Sequence, residues 1–401
     1  MSSGPRLRDV CITGACLISC VCDGADQHWQ ALQQPITPPV MELGRTRYLV
    51  HPAPYIAFSA QIRNPLELKR MSRTHALGAY AAGRALDSAV LKQEREMLSR
   101  AIVIISGGCG ERDVGLDEAI LADPGRFSDP ALLNKELSLR TRPSLFLAQL
   151  PNLLAGNISI LFGITGGSRT TMGEELAGSN AFKLGCDLVA EGSHDVALVG
   201  GAFNAERWDL LLLYGFGQFL WPHEYQPITL RCERGGGCIL GSMAAFLVLE
   251  AREHALAREA AVWCRVGDMA QRRTPRHRGD VANALNEMWR AIAPPHGGPT
   301  GAVISGASGV APWTEEESAA LTSVNSADVP LRYPGSLFGH GMEASFLFNV
   351  GLAALALRHG CVYRPQAGDP PGHCESTDID SVLVTGLGHF SGETAALLYH
   401  A

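Results

Sequence analysis

Residues 151–201 read PNLLAGNISILFGITGGSRTTMGEELAGSNAFKLGCDLVAEGSHDVALVGG and contain the pattern that is most informative about the fold class. Small and aliphatic residues recur at helical spacing over 177–191, which predicts a helix with one face packed on the protein core. The run DVALVGG at 195–201 is mostly apolar, as in a strand that is buried on both faces. A helix followed directly by a buried strand is typical of a layered α/β protein.

The same alternation of strands and helices extends in both directions along the chain. Because the second part repeats the plan of the first, we expect an N-terminal half, 1–250, and a C-terminal half, 251–401, related by a pseudo-twofold axis. The join is expected in the charged stretch 251–261. Further strands are predicted at 10–18, 101–106, 245–250, 262–268, 301–305, 381–385 and 394–399, and further helices at 72–89 and 342–357.

Composition excludes several classes of protein. The 401 residues are 46% hydrophobic and 18% charged, which gives a sizeable core and argues against disorder. Lys and Arg number 33 against 40 Asp and Glu, and the formal charge of −7 argues against a nucleic-acid-binding protein. No apolar run approaches the roughly 18–20 residues that a membrane span requires, and no secretion signal is recognisable. We therefore expect a cytoplasmic protein.

The 11 cysteines carry no spacing that indicates a metal site. None forms a CxxC pair, and an odd number without a secretion signal favours reduced thiols over disulfides. Most are expected to be small apolar core residues. On this basis the sequence predicts no metal and no cofactor.

Two segments carry a resemblance to a known family. PNLLAGNIS at 151–159, and the trio Ser336, Gly339 and His340, resemble the PNxxAGxxS and KSxxGH motifs of the β-ketoacyl-acyl-carrier-protein synthases. The similarity extends in order over nearly the whole chain. It implies the thiolase fold, an α/β architecture of five αβαβα layers built from two pseudo-twofold-related halves, and normally a dimer.

The resemblance also assigns residues to the family's catalytic positions. Condensing members carry a Cys nucleophile at the N-terminus of a buried helix and two histidines that decarboxylate the malonyl unit. Here Glu175 takes the position of the Cys, Ala307 that of the first His, and His340 that of the second. Gly335 and Asn349 replace the Lys and Glu of a family ion pair.

These replacements predict that the chain does not condense by itself. A carboxylate is a much weaker nucleophile than a thiolate toward an acyl thioester, and it would form a mixed anhydride. Two interpretations of Glu175 stay open: a buried, hydrogen-bonded carboxylate at a helix N-terminus, or a side chain that fills the vestigial site or contacts a partner. His340 is either a packing remnant or a working base.

One class within the family lacks the Cys. Chain-length-factor subunits pair with an active, Cys-containing ketosynthase and usually carry Gln in the Cys position. We therefore predict a non-catalytic subunit that shapes its partner's acyl tunnel in type II polyketide or fatty-acid-like biosynthesis, with aryl polyenes favoured as products. The alternatives are a malonyl-carrier-protein decarboxylase, against which Ala307 counts, and a homodimeric acyl-binding protein.

The resemblance places three further groups of residues. The segment SRTTMG would form a strand that pairs antiparallel with the partner subunit across the dimer axis, with Arg169 either in a cross-dimer ion pair or solvated. The arginines of the loop at 271–278 would dock an acidic acyl carrier protein that bears a phosphopantetheine arm, or merely be solvated. An aromatic stretch would line the acyl tunnel or pack in the core. The three groups are the dimer strand Ser168, Arg169, Thr170, Thr171, Met172 and Gly173, the docking residues Arg272, Arg273, Arg276 and Arg278, and the aromatic residues Trp208, Phe216, Phe219 and Trp221.

The last motif, TGLGHFSG at 385–392, resembles the family's glycine-rich NSFGFGG segment but is one residue longer. The extra residue makes its register ambiguous. No role is predicted for His389.

Overall fold

The structure is a computed structural model that describes residues 7–44, 46–108, 110–141, 149–292, 301–324, 329–370 and 379–401. Strands and helices alternate along the described chain, as the sequence predicts. The strands are β1 (Val10–Ile18), β2 (Met41–Glu42), β3 (Leu49–His51), β4 (Ile102–Ser106), β5 (Gly167–Thr171), β6 (Val196–Phe203), β7 (Leu240–Gly241), β8 (Met243–Ala251), β9 (Cys264–Arg272), β10 (Ala302–Ile304), β11 (Leu331–Arg332), β12 (Ser381–Leu387) and β13 (Glu393–Tyr399).

The helices differ in length, from a single turn to four turns or more. Short 3₁₀ helices also occur at Phe58–Ala60, Arg126–Ser128 and Met342–Ala344. The α-helices are α1 (Ala25–Ala31), α2 (Pro65–Arg70), α3 (Arg73–Ser88), α4 (Arg95–Arg100), α5 (Val114–Leu121), α6 (Pro130–Arg140), α7 (Leu153–Phe162), α8 (Glu175–Ala190), α9 (Trp208–Phe216), α10 (Ile228–Cys232), α11 (Arg252–Ala257), α12 (Asp280–Ile292), α13 (Trp313–Val324), α14 (Pro334–Leu337) and α15 (Ser345–His359).

Ten strands form one continuous sheet in the order β5-β4-β6-β8-β1-β9-β13-β12-β10-β11. On one side of its centre, β1 pairs antiparallel with β8, β8 antiparallel with β6, and β6, β4 and β5 run parallel. On the other side, β9, β13 and β12 pair antiparallel, and β12, β10 and β11 run parallel. The two runs of five strands therefore repeat one pairing pattern. The boundary between the N-terminal and C-terminal halves at residues 250 and 251 stays a prediction. We propose it because every strand of the first run ends by Ala251.

Helices pack on both faces of each run and produce five layers. On the outside, α3 lies on β1, β6 and β8, and α12 lies on β9 and β13. In the middle, α8 and α15 contact each other and strands of both runs. Residues Phe346–Leu357 of α15 are all buried, because this helix is surrounded by protein. None of the described helices combines the length and the apolar composition that crossing a bilayer requires.

The predicted elements agree with the observed ones apart from their ends. The strand at 10–18 has the predicted bounds, and the helix at 177–191 begins two residues earlier, at Glu175. The helix predicted at 342–357 begins instead with the separate 3₁₀ turn Met342–Ala344, after which α15 extends to His359. Met342 has a positive φ of 44°, which an α-helix does not accommodate.

A buried histidine on α1 makes the stability of the fold depend on pH. His28 is fully buried, donates from Nδ1 to the Gly24 carbonyl at 2.7 Å, and accepts from Ser19 Oγ at 2.8 Å. Burial lowers the pKa of His28 to about 4, although its bond to Gly24 opposes the shift. The folded pKa is thus below that of the unfolded chain, and the contribution of His28 is lost as the pH falls between these two values.

We expect the free energy of unfolding to fall between about pH 6.5 and pH 4, with roughly 3 kcal/mol lost through His28 by pH 4. Urea denaturation across this pH range measures the effect. The matched variant His28→Gln cannot take up a proton and should show a flatter profile than the wild type. An equally steep profile in the variant would contradict the assignment of this pH dependence to His28.

Candidate functional site

A tight turn delivers Glu175 to the start of the buried helix α8. Strand β5 ends at Thr171, and only three residues separate it from Glu175. Two of them, Gly173 with φ 124° and Glu174 with φ 53°, adopt left-handed conformations. A non-glycine residue in this region costs about 1–3 kcal/mol and is held there by its surroundings. The turn therefore fixes the direction in which the Glu175 side chain points.

Three polar side chains converge on one oxygen of Glu175. The Tyr214 hydroxyl donates to Oε1 at 3.2 Å, and His340 Nε2 lies 3.0 Å from the same atom. His389 Nδ1 also lies 3.1 Å from Oε1. The carboxylate and both imidazoles are at most 6% exposed. The predicted site residues Glu175 and His340 are thus brought together, and a third titratable residue joins them.

The surroundings of Glu175 keep its carboxyl group ionised. Burial by itself raises the pKa of Glu175, but the positive charge that His389 acquires at low pH and the hydrogen bond with His340 outweigh it and bring the pKa to about 2. The N-terminus of α8 also favours a negative charge at this position. Burial lowers the pKa of His389 to about 3, so its imidazole is neutral at pH 7. Burial raises the pKa of Tyr214, which remains a protonated donor.

The sequence predicts no role for His389, and the structure places this residue in the site. Its Nε2 lies 2.8 Å from Ser308 Oγ, and its ring stacks on Phe219 with centroids 5.3 Å apart. Ser308 and His389 follow β10 and β12, which are neighbouring parallel strands. The carboxyl ends of such strands meet at one edge of a sheet, and this topology is the signal that could have found His389.

The other degenerate positions lack polar groups for catalysis. Ala307 is buried in an apolar cluster with Ile228 and Tyr333. A Cβ atom on Gly335 would lie 2.7 Å from the Ala307 carbonyl oxygen, so a side chain such as Lys has no room without a shift. Asn349 donates from Nδ2 to the Ser305 carbonyl at 3.1 Å. These residues contribute packing and a backbone contact.

A described thiol near the site is not activated. Cys238 is buried, and burial raises its pKa to about 12, with a further rise from the Glu175 carboxylate. A protonated thiol is a poor nucleophile at neutral pH. Cys109 and Cys374 lie outside the described residues.

A cavity of about 340 Å³ lies beside the Glu175 cluster. Glu174, Met342 and Ser391 line it, and each is a close sequence neighbour of one of the three clustered side chains. Burial raises the pKa of Glu174 to about 7. The apolar wall includes Phe203, Leu210 and Leu213, and the charged wall includes Glu343, Arg207 and Arg273.

The four aromatic residues predicted for the tunnel or the core are in different surroundings. The Trp208 ring packs against Gly44, where an added Cβ would lie 2.2 Å from it. Trp221 is buried and donates to the Glu224 carbonyl at 2.7 Å. Phe216 is 85% exposed. Phe219 packs on His389. The wall of the 340 Å³ cavity is instead formed by other residues of the stretch, Leu210 and Leu213.

The four arginines predicted for docking also separate. The Arg276 guanidinium is only 7% exposed and pairs with Glu393, so it is a structural group that a partner does not reach. Arg273 lines the cavity. Arg272 and Arg278 are exposed, and Arg272 Nε lies 3.7 Å from Glu287. The loop thus combines one buried ion pair with exposed positive charge.

The residues predicted for the dimer strand lie at an end of the sheet. Strand β5 covers Gly167–Thr171 and pairs in parallel with β4, and within the described chain no strand pairs with its outer side. Ser168 and Arg169 are exposed, and Arg169 donates to the Ser168 carbonyl at 2.9 Å. Met172 and Gly173 follow the strand and are exposed as well. Antiparallel pairing with a partner stays a prediction.

Comparisons with known proteins agree with this architecture. The solved structure of the ishigamide ketosynthase/chain length factor has a TM-score of 0.78 and 20% identity, and the match covers 98% of this chain and 100% of that one. The AntDE:AntF structure, a type II PKS acyl-carrier protein in complex with its ketosynthase, has a TM-score of 0.73 and 16% identity over 98% and 100% of the chains. The predicted thiolase-like fold is confirmed.

The sequence comparisons identify the family. A putative polyketide beta-ketoacyl synthase 1 from Streptomyces virginiae is 24% identical over 432 aligned positions, which cover 98% of each chain. The family model of the beta-ketoacyl synthase N-terminal domain matches residues 54–255, which include β4 to β8 and the whole of α8. Because of this match, the chain belongs to the β-ketoacyl synthase family.

Proposed function

We propose that this chain is a non-catalytic, chain-length-factor-like subunit that pairs with an active β-ketoacyl synthase in type II polyketide biosynthesis, with aryl polyenes as the favoured products. One observation carries the proposal: the buried helix α8 begins with a carboxylate, Glu175, that is held by Tyr214 and His340. The resemblance assigns this position to the nucleophilic Cys of condensing members.

The chemistry of Glu175 supports a silent site. Its pKa of about 2 makes it a weakly basic anion at neutral pH. Its attack on an acyl thioester would expel a thiolate and leave a mixed anhydride, a step in which the leaving group is the better nucleophile. In addition, Oε1 is engaged by Tyr214 and His340 and is not free to attack.

Other features support pairing with a ketosynthase. The open edge of β5 offers main-chain groups to a strand of a partner subunit. Exposed positive charge at Arg272 and Arg278 suits an acidic acyl carrier protein with its phosphopantetheine arm, whereas Arg276 is excluded by its buried ion pair. The cavity beside Glu174 provides apolar wall for an acyl chain. Two structural neighbours are a ketosynthase/chain length factor and a ketosynthase in complex with its acyl-carrier protein.

Co-expression tests the proposal. Produced with a ketosynthase that carries an intact Cys-His-His set, the chain is expected to form a stable 1:1 complex that condenses malonyl units. Replacement of the partner's nucleophilic Cys by Ala should abolish condensation, and the chain alone should condense nothing. Condensation by the isolated chain, or by the complex without the partner's Cys, would contradict the proposal.

A specific observation keeps a second function under test. With Ala307 in the position of the family's first His, only His340 remains of the two catalytic imidazoles. His389 nevertheless places a second imidazole next to His340, with ring centroids 4.5 Å apart. Two imidazoles could stabilise the enolate left when a malonyl thioester loses carbon dioxide and takes a proton to become an acetyl thioester. Against this function, the Glu175 carboxylate repels the malonyl carboxylate. Release of carbon dioxide from malonyl-carrier protein by the isolated chain would favour the decarboxylase. A stable homodimer that binds no ketosynthase would instead favour an acyl-binding protein.

A further inference from the structure

We propose that Glu175, His340 and His389 form a binding site for a divalent transition-metal ion of the zinc type, through Oε1, Nε2 and Nδ1 respectively. The three ligands come from α8, the loop after α14 and the loop after β12. One carboxylate and two imidazoles form a common ligand set for Zn²⁺ and related ions. The ion would link three segments that are far apart in sequence. Neither the family nor the proposed function requires it.

The spacing of the ligand atoms suits a small cation. Oε1 lies 3.0 Å from His340 Nε2 and 3.1 Å from His389 Nδ1, and the three residues offer one ligand atom each within 4.8 Å of one another. Ligand atoms that bind a tetrahedral ion at about 2.1 Å lie roughly 3.4 Å apart. Small rotations of the side chains would therefore open the position of the ion without a change in the backbone.

An unsatisfied nitrogen is the second observation that points to an ion. Oε1 already accepts hydrogen bonds from Tyr214 and His340, which occupy its two lone pairs. His389 Nδ1 is buried, lies within 3.1 Å of Oε1, and has no hydrogen-bond partner among the described residues. A buried polar atom without a partner is costly. A cation would give His389 Nδ1 a partner, and once His340 carries its proton on Nδ1 instead of Nε2, the ion would replace the His340 hydrogen bond at Oε1.

The surroundings of His389 prepare its Nδ1 for coordination. Ser308 Oγ lies 2.8 Å from Nε2 and fixes the orientation of the ring, and Phe219 stacks on one face. When Nε2–H donates to Ser308, the lone pair of Nδ1 faces Glu175. A hydrogen bond from the second ring nitrogen is the usual support of a metal-binding histidine.

The adjacent cavity offers a path for entry. Its wall contains Glu174, Met342 and Ser391, which neighbour the three ligands in sequence, and the carboxyl group of Glu343. Arg207 and Arg273 line the same wall and offset part of this negative charge, so what the cavity supplies is space for the ion to enter. The sequence predicts no metal because its cysteines form no CxxC pair. That argument concerns thiolate ligands and does not apply to a site made of histidines and a carboxylate.

Metal titration of the full-length chain tests the site. The purified protein is stripped with a chelator, loaded with Zn²⁺, passed through gel filtration and analysed by mass spectrometry, with about one ion per chain expected. Glu175→Gln and His389→Gln should each lose the ion. Ser308→Ala keeps all three ligands and should weaken binding by about 10–100-fold. The matched control Glu317→Gln alters another buried carboxyl group, which binds Ser305 and Thr385, and should retain the ion.

Two results would overturn the site. The first is a folded wild-type chain that retains no Zn²⁺. The second is equal retention in Glu175→Gln and His389→Gln, which would place the ion on thiols. If a ligand variant fails to fold, the absorption spectrum of the wild-type chain loaded with Co²⁺ tests the site instead. Visible bands without a thiolate charge-transfer band support the proposed ligands. An intense near-ultraviolet thiolate band refutes them. These measurements need no partner or acyl substrate, so they succeed or fail independently of the proposed function.

Discussion

Replacement of Arg258 by Met is expected to lower the free energy of unfolding by about 3–5 kcal/mol, because it leaves a buried carboxylate without its counter-ion. Glu250 has no exposed surface, and Arg258 contacts both of its oxygens, at 2.7 and 2.8 Å. His254 and Thr13 complete its surroundings at 2.6 and 2.8 Å. This cluster joins the end of β8 to the segment around α11, close to the proposed boundary between the two halves.

Two comparisons isolate the cause of this loss. The double variant Glu250→Leu with Arg258→Met buries no charge and should recover much of the stability. The surface pair Arg100–Glu96 is 76% and 80% exposed, and Arg100→Met should cost less than about 1 kcal/mol. Guanidinium denaturation measures all the variants. If Arg258→Met costs no more than Arg100→Met, the cluster does not stabilise the fold.

A bulky residue in the cavity wall is expected to shorten the products of the proposed complex. Leu213 lines the 340 Å³ cavity and is half exposed, so Leu213→Trp adds volume with little strain in the core. Each methylene of the acyl chain that is buried in the cavity contributes about 0.8 kcal/mol to binding. If the introduced indole displaces two methylenes, the yield of the longest product should therefore fall by more than roughly ten-fold relative to shorter products. Product analysis by mass spectrometry of the reconstituted complex measures the shift.

The same helix offers the matched control for this experiment. Leu212 precedes Leu213 on α9 and is 59% exposed, but it is not part of the cavity wall. Leu212→Trp should therefore leave the product distribution unchanged. Equal distributions for Leu213→Trp and the wild type, in a complex of normal activity, would mean that the acyl chain does not enter this cavity.

Local patterns were sufficient for the elements of the fold. The strand at 10–18 has the predicted bounds, and α8 and α15 differ from prediction only near their ends. Burial in a layered α/β protein leaves long apolar runs, and such runs are visible in a single sequence. The sequence does not predict the turn into α15, because the positive φ of Met342 depends on its packing and not on its residue type.

Surface and cavity residues were harder to predict than core elements. Of the four arginines in the loop at 271–278, Arg276 is buried on Glu393, a residue 117 positions further along the chain. Of the aromatic stretch, Trp221 is buried while Phe216 is exposed. Charge and aromaticity do not distinguish these cases, because a side chain's surroundings depend on which distant strand lies against it.

The layered α/β architecture, and Glu175 where related enzymes by resemblance carry a thiol, can both be predicted from the residues and their order. The surroundings of that carboxylate follow from the folded structure alone. His340 and His389 are 165 and 214 positions from Glu175 in the chain, and they meet it because the start of α8 and the ends of α14 and β12 converge. Periodicity reports which face of an element is buried, but contacts between distant loops follow from strand order, which no local pattern encodes.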